Sequence, residues 1–352
     1  MIKYLGSKRR LVPVLADLFA RSGATTALDL FTGTTRVAQA LKRAGAIVTA
    51  VDTARYSEVF SHTWIETDAD SVDVGELSDE LARLDALPGI DGYVAETFCR
   101  RSRFFQPFNG QRIDAIRQAI ADDHAGSPLE PILLTSLLLA ADKVDSTTGL
   151  QMAYVKSWAP RSAKALALAV PELLPGNGHA VRADATLAAR SLGPFDFAYL
   201  DPPYNQHRYF TNYHVWETIV AWDEPDYYGV ACKRLDSRDE TTKSVFNRKR
   251  EMPAALRDTI ASLDSEIVAV SYNDESWLSL DDLREMCAVH GHVEVLAFDS
   301  KRYVGAQIGI HNPKGQRVGE VGRVRNQEYV VLAGPAAMVS HMIAPYTADR
   351  VI

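Results

Sequence analysis

The tetrad Asp201-Pro202-Pro203-Tyr204, which follows the apolar run FDFAYL (195–200) without a break, constrains this chain more than any other feature. The run predicts a short buried strand. Two consecutive prolines fix φ and remove two amide donors, so the strand must end and the chain must turn there. The turn then offers a carboxylate, a carbonyl oxygen and an aromatic face. Together they suit a planar exocyclic amine. The –NH2 donates to Asp201 and to the Pro202 carbonyl, and Tyr204 stacks on the ring. Ligands of open α/β sheets bind at the carboxyl ends of strands, so the tetrad predicts a site as well as a turn.

The rest of the chain supplies such a sheet. LVPVLADLFA (11–20) has helical spacing, and ATTALDLF (24–31) predicts a strand that meets a Gly/Thr turn. VAQALKRAG (37–45) predicts a helix closed by Gly45, and AIVTAVD (46–52) a second strand ending in Asp. This β-turn-α-β unit opens a doubly wound sheet. Residues 54–175 interrupt it with helical periodicity, in SDELARLDAL, RIDAIRQAIADD and EPILLTSLLLAADKV. Asn109-Gly110 predicts a turn before the second of these helices. Strand patterns return at HAVRAD (179–184), FDFAYLD (195–201), EIVAVSYN (266–273) and HVEVLAF (292–298), then at VGAQIGI and EYVVLAG. The expected fold class is therefore α/β, a doubly wound Rossmann-like sheet with a mainly helical insertion. Residues 1–53 and 176–352 form the core, and residues 54–175 form the insertion.

The turn Asp29-Leu30-Phe31-Thr32-Gly33-Thr34-Thr35 suits a small ligand. Gly33 lets backbone approach it, and Asp29 is placed to accept from an ammonium group. Asp52 ends the second strand, where an acid can bind both hydroxyls of a ribose. G-x-G-x-x-G is absent, which argues against a dinucleotide-dependent oxidoreductase.

Charge gives a mixed message until it is located. The 352 residues carry a formal charge of −7, which alone argues mildly against a polyanionic partner. Residues 52–96 hold twelve Asp/Glu against two Arg, so this one segment supplies the acid and the remainder is mildly basic. The three cysteines lie far apart with no metal-ligand spacing, which predicts free thiols in a reducing compartment and no zinc site. The longest apolar stretch, Ile132 to Ala141, is broken by Thr135 and Ser136 and is too short to span a bilayer. The polar, basic start lacks a signal-peptide pattern, so a cytoplasmic protein with no membrane partner is expected.

Asp-Pro-Pro-Tyr after a strand, with Asp-Leu-Phe-x-Gly upstream, resembles the S-adenosylmethionine-dependent adenine-N6 DNA methyltransferases of the Dam or D12 class. The text Asn205-Gln206-His207-Arg208-Tyr209-Phe210-Thr211-Asn212-Tyr213-His214 and its continuation look most like the FokI-type modification enzymes. The resemblance covers residues 2–52 and roughly 140–310 and is weakest over 54–95. It implies a methyltransferase sheet with S-adenosyl-L-methionine as cofactor. It also implies double-stranded DNA as partner, with a cognate restriction endonuclease alongside, in a bacterial or phage-encoded system. Carried over, Asp201, Pro202, Pro203 and Tyr204 are the catalytic residues. Tyr4, Lys8, Asp29, Phe31, Gly33, Thr34, Asp52, Asp184 and Asp201 meet the cofactor. Many members have a second glycine where this chain has Thr35, which puts the fit of the methionine moiety in doubt.

Three stretches, 96–117, 233–257 and 311–325, carry net charges of +3, +4 and +3. The first interleaves arginines with Phe98, Phe104, Phe105 and Phe108, a pattern suited to phosphates and displaced bases. The expected DNA contacts are Arg100, Arg101, Arg103, Arg208, Tyr209, Tyr213, His214, Arg248, Lys249 and Arg250. Segment 205–250 is expected to close over a flipped adenine, and the insertion or this segment to read the target. A structural histidine is an equal reading of His214. Two other readings stay open: a methyltransferase of another planar amine (cytosine N4, RNA adenine or a protein amide), and a silent DNA-binding module. The Asp at the first tetrad position favours adenine over cytosine, and the intact tetrad argues against a silent module.

Overall fold

The computed structural model describes residues 2–4, 8–203, 208–274, 276–301 and 325–351. The elements run α1 (Val12–Ser22), β1 (Thr26–Leu30), α2 (Arg36–Arg43), β2 (Ile47–Asp52), α3 (Arg55–Ser61), α4 (Val74–Asp85), α5 (Pro107–His124) and α6 (Glu130–Val144). They continue with β3 (Gly178–Arg182), α7 (Ala185–Ser191), β4 (Phe195–Leu200), α8 (Tyr209–Asn212), α9 (His214–Ala221), β5 (Tyr227–Tyr228) and β6 (Lys233–Arg234). The last are α10 (Met252–Ala261), β7 (Ser265–Asn273), α11 (Leu280–Cys287), β8 (His292–Lys301), β9 (Arg325–Gly334) and α12 (Ala336–Ile343). Wide π-type turns occupy His62–Glu66 and Ala95–Arg101. The fold class is α/β and Rossmann-like. The strand read at VGAQIGI (304–310) and most of the basic stretch 311–325 lie outside the described residues.

The chain forms two compact units. One comprises Met1–Ser7, Thr32–Asp184 and His207–Ser244; the other comprises Lys8–Phe31, Ala185–Gln206 and Val245–Ile352. This division departs from the one read in the sequence, 1–53 with 176–352 against 54–175. Packing explains the difference, because β2 and β3 are packed by α3 and the His62–Glu66 turn. Lys42 of α2 is buried, and its ammonium donates to the carbonyls of Ile65 and Thr67, each at 2.8 Å. The helical insertion is thus built onto these two strands.

In the first unit β2 and β3 pair in parallel, with Asp52 opposite Arg182. The apolar α6 is buried along most of its length. Its polar interruptions are satisfied: Thr135 shares a hydroxyl bond with Thr63 at 2.8 Å, and Ser136 donates to the Ala169 carbonyl at 2.7 Å. Asn109-Gly110 is not a turn. Pro107 starts α5 two residues earlier, and the Asn109 side chain instead ties down the loop at Lys164 and Leu166. Gly110 is required by close packing, since a Cβ there would lie 2.2 Å from the Cys99 sulfur.

Among the described residues the second unit carries five strands. β1, β4 and β7 are parallel, and β9 pairs antiparallel with both β7 and β8. Phe197–Leu200, Ile267–Val270 and Val330–Ala333 are all buried. Unbroken apolar runs of this kind reflect a sheet covered on both faces. The three cysteines are buried free thiols. No described helix is long and apolar enough to cross a membrane. Among the described residues no group of three His, Cys, Asp or Glu is arranged to hold a metal.

Candidate active site

Two sets of site residues are built at strand ends, one in each unit. In the second unit β1 and β4 run side by side with Asp29 opposite Tyr199 and Leu30 opposite Leu200. Their carboxyl ends therefore bring the start of the Asp29–Thr35 turn beside the Asp201 tetrad. The Asp201 amide donates to the Leu30 carbonyl at 3.4 Å. Asp29 is buried, and Phe31 is half-buried with φ +66 and its ring edge-on to Phe246. Lys8 is 5% exposed, and its ammonium lies 3.0 Å from Asp201 Oδ1. Burial pushes the Asp201 carboxyl up, and the Lys8 charge pulls it back down. Behind it on β4, the Tyr199 hydroxyl pairs with Ser271 at 2.7 Å. Pro202 is buried and Pro203 half-buried; Tyr204 lies outside the described residues.

In the first unit the turn continues through Thr32, Gly33, Thr34 and Thr35, all buried. The Thr32 amide donates to the Val51 carbonyl at 3.0 Å. Asp52 Oδ2 accepts from the Gly33 amide at 2.9 Å, and Oδ1 from the Ala54 amide at 3.0 Å. Burial pushes this carboxyl up, and the backbone donors oppose it. Asp52 thus shapes the turn. The next strand end follows at once, because the Ala183 amide donates to the Asp52 carbonyl and leads into half-buried Asp184.

Gly33 has φ +56, and a Cβ on it would lie 3.0 Å from the Tyr4 ring. Only glycine fits so close an approach at that φ. Thr35 also has φ +59. This is where relatives of the resembled family often carry glycine, and a β-branched residue there is strained.

Tyr4 belongs to an aromatic stack. Its ring lies 4.6 Å from Tyr213 and 5.4 Å from Tyr209, and Tyr213 lies 4.8 Å from Trp216. The Tyr4 and Tyr56 hydroxyls are 3.3 Å apart. Tyr56 was not singled out in the sequence, and Trp216 stood there only within the text after the tetrad that carries the resemblance, with no role of its own.

Several expected DNA contacts are placed elsewhere. Tyr213 and His214 are fully buried. The His214 Nε2 donates to the Gln151 carbonyl at 2.9 Å, and burial lowers its pKa to about 3. It is a neutral structural histidine. Phe98, Phe104 and Phe105 are core residues, and of that group only Phe108 is exposed. Alternating Arg and Phe here mark the two faces of a buried turn. Arg100 and Arg101 are exposed but paired with Asp91 and Glu96. Arg103 donates to the Lys156 carbonyl at 2.6 Å and lies 4.7 Å over Trp158. Arg208, Lys249 and Arg250 are exposed, Tyr209 is half-buried, and Arg248 pairs with Glu251.

Comparison with known proteins adds an independent finding. The sequence profile described as "D12 class N6 adenine-specific DNA methyltransferase" matches residues 4–286. The chain is 30% identical to the type II methyltransferase M.NlaIII of Neisseria lactamica, over 78% of this chain and 83% of that protein. It is 27% identical to the modification methylase StsI of Streptococcus sanguinis, over 86% of this chain and 49% of that protein. It is 26% identical to the type II methyltransferase M.FokI of Planomicrobium okeanokoites, over 82% of this chain and 47% of that protein. The chain therefore spans about half the length of the last two.

Proposed function

Because this chain belongs to the D12 class of N6 adenine-specific DNA methyltransferases, we propose that it methylates N6 of a flipped-out adenine in duplex DNA, with Asp201 and Pro202 holding the amine. The single observation that carries the assignment is the tetrad at the end of β4, beside the end of β1, with Asp201 paired to buried Lys8. The proposal extends to a restriction-modification setting with a cognate endonuclease, in the cytoplasm of a bacterium or under phage control. The names of the relatives and the three free thiols support that setting.

The residues present fit S-adenosylmethionine. A carboxylate at a strand end (Asp52), a glycine turn closed by an aromatic wall (Gly33, Tyr4) and a second strand-end acid (Asp184) match a ribose diol, a close backbone approach and an exocyclic amine. When bound, S-adenosylmethionine supplies a sulfonium methyl as the electrophile. The protein's own part is to make N6 a nucleophile. Its lone pair is conjugated with the purine ring. Asp201 and the Pro202 carbonyl accept from the two N6 hydrogens, which favours rehybridisation and stabilises positive charge as it develops. Lys8 favours the ionised form of Asp201 and, through Oδ1, leaves the other oxygen to accept.

The test is labelled S-adenosylmethionine with unmodified duplex DNA, followed by nucleoside analysis. N6-methyladenine supports the proposal. Label in N4-methylcytosine, or DNA binding with no transfer by the intact chain, overturns it.

A further inference from the structure

The loop after α6, Asp145–Gln151, makes two sets of buried contacts that the proposed mechanism does not use. At its start Asp145 is buried and accepts from the Lys3 ammonium at 2.8 Å and from Arg161 Nε at 2.8 Å. Thr147 donates to its other oxygen. Lys3 is gripped a second time, because its ammonium donates to the Asp142 carbonyl at 2.7 Å and its amide donates to Asp142 Oδ2 at 3.3 Å. The residue after Lys3 is Tyr4.

At its other end Gln151 is 3% exposed and holds the α8–α9 junction with three groups. Its amide donates to the Asn212 carbonyl at 2.7 Å. Its carbonyl accepts from His214 at 2.9 Å. Its side-chain oxygen accepts from the amides of Val215 and Trp216 at 3.0 and 3.3 Å. That junction carries Tyr213, whose ring stacks on Tyr4, and Trp216, whose ring stacks on Tyr213.

We infer that Asp145 and Gln151 are positioning residues that set the Tyr4–Tyr213–Trp216 stack, and through Tyr4 the cofactor turn at Gly33. One short loop fixes both segments that contribute to the stack. A side chain added at Gly33 would strike Tyr4, so a displaced Tyr4 changes the wall of that turn. The loop lies within the insertion, directly after α6, so it links the helices of the insertion to the cofactor turn and to the segment after the tetrad. The inference rests on the proposed function where it concerns turnover, but not where it concerns the stack.

The test uses K3M, D145N and Q151L in the full chain. K3M leaves Asp145 paired with Arg161 but removes the ammonium 3.4 Å from the buried Asp142 carboxylate, so thermal unfolding is used to confirm that each variant folds. In the cofactor-free protein labelled with 5-fluorotryptophan, the resonance of residue 216 (assigned with W216F) should move in K3M and D145N, although neither residue touches Trp216. The KM and Kd for S-adenosylmethionine should rise about tenfold in K3M and D145N with kcat within about threefold. The K3M/D145N double variant should lose less than the product of the two single effects, because both changes remove the shared Lys3–Asp145 contact. Q151L should lower kcat about tenfold, since it frees the segment that follows the tetrad. An unmoved resonance with KM, Kd and kcat all within twofold of the parent overturns the inference. If the parent chain methylates no DNA, the proposed function fails, and the fluorine shift and the Kd still decide this question.

Discussion

The Lys8 ammonium stands 3.0 Å from Asp201 Oδ1, both groups largely withdrawn from water. Asp201→Ala should therefore abolish transfer, by about a thousandfold or more in kcat, a larger loss than any it causes in Kd for S-adenosylmethionine. Single-turnover kinetics with calorimetry on the same sample checks it, and near-normal turnover would sink the role of Asp201. Lys8→Met removes the charge that pulls the Asp201 carboxyl down against burial. The acid limb of its kcat/KM profile should move to higher pH.

Gly33→Ala tests the turn. The new methyl would meet the Tyr4 ring at 3.0 Å on a backbone with φ +56. A loss of about 1–2 kcal/mol in stability should accompany a higher KM for S-adenosylmethionine. Denaturant unfolding and steady-state kinetics measure the two effects, and a neutral substitution would contradict the close approach.

Glu217 gives a pH signature. It lies on α9, buried against the start of α3, where it accepts from the Arg55 amide at 3.0 Å, and burial raises its pKa to about 7. An acid whose folded pKa lies above its unfolded one binds more protons in the native state. Its contribution is full below about pH 4.5 and is lost as pH rises towards 7. Glu217→Gln keeps an acceptor without the charge, so the fall in Tm between pH 4.5 and 7 should flatten. An unchanged slope in a thermal series would refute the assignment.

The phenylalanines separate core from surface. Phe98 is 0% exposed and Phe108 44%. Phe98→Ala should lose about 3–5 kcal/mol of stability, whereas Phe108→Ala should alter stability little. If Phe98→Ala instead spared stability and weakened DNA binding, the buried placement would be wrong.

Salt dependence tests the basic surface. Lys249 and Arg250 are exposed, whereas Arg100 and Arg101 are tied to acids. Replacing Lys249 and Arg250 together by Gln should flatten the slope of log K against log salt by roughly 2. Replacing Arg100 and Arg101 should change it less. Equal effects in a fluorescence-anisotropy titration would show that the Arg100 and Arg101 ion pairs open on DNA.

Much of the fold was legible because strands and helices are local. The run FDFAYL, the strands at 24–31 and 46–52 and the helix at 130–144 each carry a period or an apolar run that few other conformations tolerate. Asn109-Gly110 misled because its role is set by Cys99, at no fixed sequence distance. The insertion misled as a domain because β2 and β3 bury their faces against its helices.

What the sequence determined by itself was the chemistry at the strand ends. Asp201-Pro202-Pro203 must turn where a strand stops, and Gly33 must stand where only glycine fits, because φ restriction and the lack of a Cβ are properties of single residues. Only the tertiary structure decided which charged and aromatic groups are free. Twelve acids in one segment and arginines beside phenylalanines read as separate surfaces, yet Arg100 and Arg101 meet Asp91 and Glu96 while Phe98 goes inside. Burial depends on what the rest of the chain brings to a side chain. That is why His214 became a core residue and why the grip of Asp145 on Lys3, 142 positions away, left no mark in the local pattern.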